Sequence, residues 1–217
     1  MSSRSSISKH TRSILPDPIQ REAYWRGARE LLPAAPGVFA WGLVTGVAMV
    51  KSGLSIEYAL IMTFLAYAGS AQLAALPLLV TVAPLWVVAL TAIAVNLRFV
   101  VYSAAMLPHL RHLPPSARVG LGYLIGDIGF AKFSALLERE PNYPHRVAYF
   151  AGGASCNWVL WQASSVIGIL AATTIPVEWG LALAGTLVLI PLLVPFCRDR
   201  PALAGVCVAS VVAIMGH

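Results

Sequence analysis

The sequence predicts an all-α, polytopic integral membrane protein with about seven transmembrane segments. Three observations support this. Of its 217 residues, 58% are hydrophobic and 11% are charged, whereas soluble domains average roughly 45–50% apolar and about 25% charged residues. The mean hydropathy is +0.75. Apolar runs also recur at close to the ~20 residues that are needed to cross about 30 Å of hydrocarbon.

The first 30 residues differ from the rest of the chain. They contain six of the 15 Lys and Arg residues and lack the apolar core of a signal peptide. We therefore predict a basic, cytoplasmic N-terminal arm at 1–30 and a transmembrane transporter domain at 31–217, following the positive-inside rule. Within the arm, residues 19–32 either form a short interfacial helix or belong to a solvated tail.

Seven apolar runs follow the arm, and turn or helix-stop residues separate them. They lie at roughly 31–50, 56–76, 84–107, 119–138, 147–170, 180–197 and 201–216. The 56–76 run is unusual because Gly69 and Pro77 allow a broken or re-entrant helix there. Loop charges do not decide whether this run crosses the membrane or returns, so both topologies stay open.

Several functions are disfavoured by the sequence. The basic residues form no stripe on a folded domain, and positive-inside bias explains the pI near 9.6 better than nucleic-acid binding does. The three cysteines have no CxxC spacing and the five histidines no HxxxH spacing, so we expect neither a metal site nor a structural disulfide. The apolar runs contain no HExxH motif, no paired aspartates and no serine with a nearby histidine. We therefore expect no enzyme activity and no cofactor.

Polar residues near the centres of four runs are the main functional signal. Each unpaired polar group within lipid costs several kcal/mol, so each needs a partner or a function. These candidates are Tyr67, Gly69, Ser70, Gln72, Asn96, Arg98, Tyr102, Ser103, Asp127 and Asn157. Other hydroxyl residues in these runs are expected only to hold helices together, as polar contacts between transmembrane helices commonly do; they are Thr63, Thr91, Ser134 and Ser164.

Arg98 and Asp127 stand out because an ionisable group near the bilayer centre costs at least about 2.5–3.5 kcal/mol. We predict that they pair across neighbouring helices. A substrate carboxylate could then compete with Asp127 for the guanidinium, and Asp127 would take up a proton when it loses its partner. This hypothesis makes Asp127 the proton-coupling residue.

The segment "AGSAQ" at 68–72 has a separate interpretation. If the helix breaks near Gly69, the backbone N–H groups that follow, with Ser70 and Gln72, form a helix N-terminus that can hold an anionic group. The alternative is a close helix crossing, in which Gly69 permits contact and Gln72 bonds to a neighbour.

The combination of motifs resembles one family. "GLSIEYALIMTFLAYAGSAQLAALPLL", "NLRFVVYSAAMLPHL" and "GDIGFA" resemble the AzlC-type branched-chain amino acid permeases over about residues 24–200. Family members often carry an acidic residue directly after the aspartate of "GDIGFA", whereas this chain has Ile128. A two-carboxylate proton site is therefore in doubt.

The resemblance implies a bacterial inner-membrane exporter of leucine, isoleucine, valine and, as a further candidate, methionine. It also implies proton coupling and a small hydrophobic partner subunit of the AzlD type. The resemblance puts weight on eight of the ten residues selected above, namely all except Tyr67 and Asn157. Together the ten are predicted to be nine substrate-binding residues and the proton-coupling Asp127. A membrane scaffold subunit, or a transporter of a different small zwitterion or anion, remains the alternative.

Overall fold

The protein is described by a computed structural model that covers residues 18–174. Within this range every regular element is helical, so the predicted all-α class is confirmed. A 3₁₀ turn, Leu32–Ala34, joins the first two helices. The α-helices are α1 Pro18–Leu31, α2 Ala35–Lys51, α3 Ile56–Leu65, α4 Gly69–Val80, α5 Leu85–Leu110, α6 Pro115–Tyr123, α7 Asp127–Arg139 and α8 Arg146–Ala171.

Fewer helices than predicted are continuous membrane spans. Among the described residues, Pro18–Lys51 and Leu85–Leu110 are long and apolar enough to cross a membrane, and the bent pair α6–α7 would be a third. The 56–76 run corresponds to the two short apolar helices α3 and α4. The 147–170 run corresponds to α8, which is more polar. The predicted runs at 180–197 and 201–216 lie outside the described residues. The estimate of about seven spans is therefore higher than the described part of the chain supports.

Helix α8 is the centre of the packing, and α1 and α2 lie along it. Glycines allow this close approach: a Cβ on Gly46 of α2 would meet the backbone of α8 at Ser165 and Ile169, and a Cβ on Gly168 would meet the backbone of α2 at Leu43. Small residues that bring helix backbones together are typical of membrane helix contacts. The polar face of α8 is therefore enclosed by protein rather than lipid.

Helix α1 excludes one of the two alternatives for residues 19–32, the solvated tail. Residues 18–31 are helical, and Ala23, Gly27, Ala28 and Leu31 are buried. A Cβ on Gly152 of α8 would meet the backbone of Tyr24, so α1 packs on α8 instead of forming a solvated tail. The helix continues past residue 30, and its cytoplasmic location stays a prediction.

The 56–76 run is broken, as the sequence suggested. Helix α3 ends at Leu65 and α4 begins at Gly69, with Ala66 and Ala68 in non-helical conformations. Side chains from three other helices satisfy the last carbonyl groups of α3, which a helix end leaves without intrahelical partners. Gln72 donates to the Met62 carbonyl at 3.2 Å, Gln162 to Thr63 at 3.0 Å and Tyr123 to Phe64 at 2.5 Å.

The 119–138 run contains a second break, which the sequence prediction missed. Helices α6 and α7 meet at a bend of 114°, and Gly126 between them is extended, with φ −133° and ψ 164°. Asp127 was expected at the middle of a continuous span; instead it is the first residue of α7. Glycines at 120, 122, 126 and 129 explain the break, since each costs up to about 1 kcal/mol relative to alanine in a helix interior.

Candidate functional site

The first turns of the two broken helices meet at Arg98 of α5. Its Nη2 donates to the Ser70 hydroxyl on α4 at 2.5 Å and lies 3.3 Å from Oδ2 of Asp127 on α7. Because both contacts involve the same nitrogen, the starts of α4 and α7 are adjacent. The predicted pairing of Arg98 with Asp127 is therefore present.

Asp127 has a second partner on α5. The Tyr102 hydroxyl donates to Oδ1 of Asp127 at 3.1 Å, and the Tyr102 ring stacks on Phe130 with ring centroids 4.2 Å apart. Tyr102 is four residues from Arg98, so one face of α5 supplies both groups that hold the carboxylate. The N-terminus of α7 also favours a negative charge at this position.

A second set of polar side chains lies between the two breaks. The Asn157 amide on α8 donates to the Tyr67 hydroxyl in the α3–α4 break, and its Nδ2 is 3.1 Å from the position that a Cβ on Gly126 would occupy. The Tyr67 ring also contacts Tyr123 and Trp161. Asn157 therefore connects the two breaks from the side of α8.

The ion pair remains open on one side. The Arg98 side chain is 34% exposed and that of Asp127 43%, whereas Asn157 is buried. Arg98 keeps its Nε without a hydrogen-bond partner, and its guanidinium lies 5.0 Å from the centre of the Phe99 ring. The site thus offers a partly exposed cation beside a partly exposed carboxylate, an arrangement that suits a zwitterion.

Three candidate residues lie outside this cluster. Gln72 is fully buried and bonds to the end of α3, so the structure places it at the break, as in the alternative interpretation. Asn96 lines a shallow depression on another face of α5, with Ala92, Ile93, Leu97 and Val100. Ser103 is exposed. Within residues 18–174, no hydrogen bond or ion pair joins any of the three to Arg98 or Asp127.

Two residues outside the predicted site residues have clear roles. Tyr123 ends α6 and bonds to the end of α3, while Gln162 bonds to both the carbonyl and the hydroxyl of Thr63. The signal for Tyr123 was its position four residues before Asp127, on the same polar stripe of the predicted span. Gln162 could have been found because it lies in an apolar run, five residues after Asn157.

Comparison with known proteins decides the family. A family model described as "AzlC protein" matches residues 33–175, which include both helix breaks and the Arg98–Asp127 pair. The chain belongs to the AzlC family. No match was found among curated proteins or among solved structures.

Membership in the AzlC family and the apolar helices identify this AzlC protein as a membrane protein with a function related to branched-chain amino acid transport. The family match also covers the residues that form the site. It extends from Pro33, before α2, to the end of the described chain. The matched residues therefore include the helices that carry Ser70, Arg98 and Asp127.

Proposed function

We propose that this AzlC protein is a secondary active transporter that exports leucine, isoleucine, valine and methionine across the bacterial inner membrane. The observation that carries the proposal is the Arg98–Asp127 pair, which joins the starts of two broken helices and remains partly exposed. Substrate sites at discontinuous helices are a recurring feature of secondary transporters. We propose transport without chemistry on the substrate.

Substrate binding would use opposite charges at neighbouring places. The carboxylate of the amino acid binds at Arg98 and the first turn of α4, where a cation and a helix N-terminus both favour an anion. The ammonium group binds near Asp127. The aliphatic side chain packs against apolar surface such as Phe99, whose ring lies beside Arg98; Phe64 and Trp161 are further candidates for this contact.

Proton coupling would follow from competition at Asp127. The substrate ammonium group favours the charged carboxylate, and a carboxylate that has lost this cationic partner is protonated more readily, so the site would release an amino acid and then take up a proton in its place. Tyr102 would keep one hydrogen bond to Asp127 through this exchange. A single carboxylate is sufficient for this scheme, and the position after Asp127 is Ile128.

The small hydrophobic partner subunit of the AzlD type belongs to the same proposal. Its support is family membership. Co-expression of such a subunit with this chain tests it directly, because export should require both proteins. Export by this chain alone would contradict the two-subunit proposal and leave the substrate assignment intact.

The decisive experiment is efflux of leucine, isoleucine, valine and methionine from dipeptide-loaded cells, with and without the partner. Arg98→Ala should abolish export. Asn96→Ala, a polar residue two positions away but outside the cluster, should leave it near the unmodified level. Equal export by Arg98→Ala and the unmodified protein, with both inserted in the membrane, would overturn the proposed site.

Coupling requires a second comparison. Asp127→Asn keeps the size of the side chain but cannot take up a proton, so net export driven by a proton gradient should fail. Exchange of labelled for unlabelled leucine should continue, because it needs no net proton movement. Unchanged gradient-driven export by Asp127→Asn would exclude Asp127 as the proton carrier.

A further inference from the structure

Two indole N–H groups near the start of α4 have no hydrogen-bond partner. They are Nε1 of Trp41 on α2 and Nε1 of Trp161 on α8, and both atoms are buried. Trp161 as a whole is only 8% exposed. An indole nitrogen can only donate, and a buried donor without an acceptor is rare enough in native proteins to need an explanation.

Both indoles lie against Gly69, the first residue of α4. A Cβ on Gly69 would be 3.0 Å from Nε1 of Trp41 and 2.9 Å from Cζ2 of Trp161. No other side chain would fit there without displacing a ring. Glycine at this position therefore allows both indole rings to pack directly against the backbone at the start of α4.

The start of α4 also lacks a capping side chain. Ala68 at the N-cap position makes no side-chain hydrogen bond, and the Gln72 N–H is bonded to the Ala68 carbonyl. The N–H groups of the preceding first turn therefore have no acceptor within the helix. With twelve residues, α4 is long enough for its N-terminus to favour a bound anion.

We propose that Trp41 and Trp161, with the first turn of α4, form the carboxylate subsite of the transported amino acid. All of these groups are hydrogen-bond donors, and a carboxylate at neutral pH only accepts. Ser70, in the same turn, accepts a hydrogen bond from Arg98, so the guanidinium and the two indoles contact the same turn of α4. The proposal rests on the proposed function and adds two specificity-determining residues to it.

The direct test observes the indoles themselves. The protein is labelled with ¹⁵N at its tryptophans and its indole N–H signals are recorded in detergent micelles, with Trp→Phe variants for assignment. It is then titrated with 4-methylpentanoate, and separately with 4-methylpentanamide, which has the same carbon skeleton but no carboxylate. The Trp41 and Trp161 signals should shift saturably with the acid only, while Trp86, which is 66% exposed on α5, should not move. Unmoved signals with the acid, or equal shifts with both compounds, would overturn the proposal.

A second test uses selectivity. Trp41→Phe and Trp161→Phe keep an aromatic ring but remove the donor, so the preference for leucine over leucinamide should fall by about tenfold or more for each. Trp86→Phe is the matched control and should keep the full preference. Export of leucine with an unchanged preference in both variants would overturn the subsite and leave the proposed function standing. Acid-specific indole shifts without leucine export would support the subsite and contradict the proposed function.

Discussion

Gln162 and Gln72 both hold the end of α3, but their side chains are satisfied to different degrees. Gln162 donates to the Thr63 carbonyl and accepts from the Thr63 hydroxyl. Gln72 donates to Met62, but its Oε1 has no partner. The Met62 carbonyl also keeps a bond from the Ala66 N–H at 2.9 Å. The two residues should therefore respond differently to loss of the amide.

We expect Gln162→Leu to lower the free energy of unfolding by about 1–3 kcal/mol, because it leaves a buried carbonyl and a buried hydroxyl with fewer partners. Gln72→Leu should cost less, since it removes an unpaired oxygen together with one hydrogen bond. The two variants are compared by thermal unfolding in the same detergent, and the loss of monodisperse protein reports the unfolding. A larger loss in Gln72→Leu would contradict this account of the break.

Ser70 and Ser103 offer a second comparison between single residues. Ser70 accepts a hydrogen bond from Arg98, whereas Ser103 is exposed on α5. Removing the Ser70 hydroxyl should leave the guanidinium less firmly held and weaken leucine binding by about tenfold, which corresponds to the lower end of the usual free energy of a hydrogen bond to a charged group. Leucine affinity measured on purified protein should thus change in Ser70→Ala and stay constant in Ser103→Ala. A constant affinity in both would show that the Arg98–Ser70 bond does not contribute to binding.

The helices themselves show what local sequence can and cannot reveal. The break in 56–76 was predictable because polar residues and Gly69 interrupt an apolar run, whereas Pro77 lies inside α4. The break at Gly126 was missed because mean apolarity continues across it, although four glycines in ten positions marked it. The pairing of Arg98 with Asp127 followed from the cost of isolated charges in lipid. Gln72 and Asn96 were assigned to the site because their spacing along the sequence shows which residues share a face of a helix. Spacing does not show which other helix packs against that face, because this depends on tertiary packing.

The contact between α2 and α8 gives a test of helix packing. Gly168→Ala would place a methyl group against the backbone of Leu43, and backbone cannot yield as a flexible side chain can. We expect a loss of about 1–3 kcal/mol in the free energy of unfolding, typical of overpacking. Gly37→Ala, in the same helix pair but with no atom within 4 Å of the added carbon, should be neutral or slightly stabilising. Equal stability of the two variants would show that this contact is not tight.

Beyond the site, a polar network joins α1 to the far end of α7. Arg26 donates to both carboxylate oxygens of Glu140, at 2.5 and 3.3 Å, and to Glu30 at 3.0 Å. Tyr149 on α8 donates to Glu30 at 2.6 Å. Helix α7 therefore begins at Asp127, in the site, and ends at Arg139. The next residue, Glu140, is bonded to Arg26 on α1. A segment that sequence analysis treated as an arm thus helps to position the element that carries the proton-coupling candidate.

This network should make stability depend on pH in a defined direction. Hydrogen bonds from Arg26 hold the pKa of Glu140 below its ordinary value, which is about 4.3 in unfolded chains. A group with a lowered pKa in the folded state stabilises the protein above its unfolded pKa, and this stabilisation is lost as pH falls through the folded pKa. The unmodified protein should therefore have a higher Tm than Glu140→Gln at pH 7, and the difference should shrink as the pH falls below about 4.3.

Glu138→Gln, which changes an exposed carboxylate two residues away, is the control and should show no such convergence with the unmodified protein. A Tm difference between the unmodified protein and Glu140→Gln that stays constant over this pH range would mean that the charge of Glu140 does not hold α1 to α7.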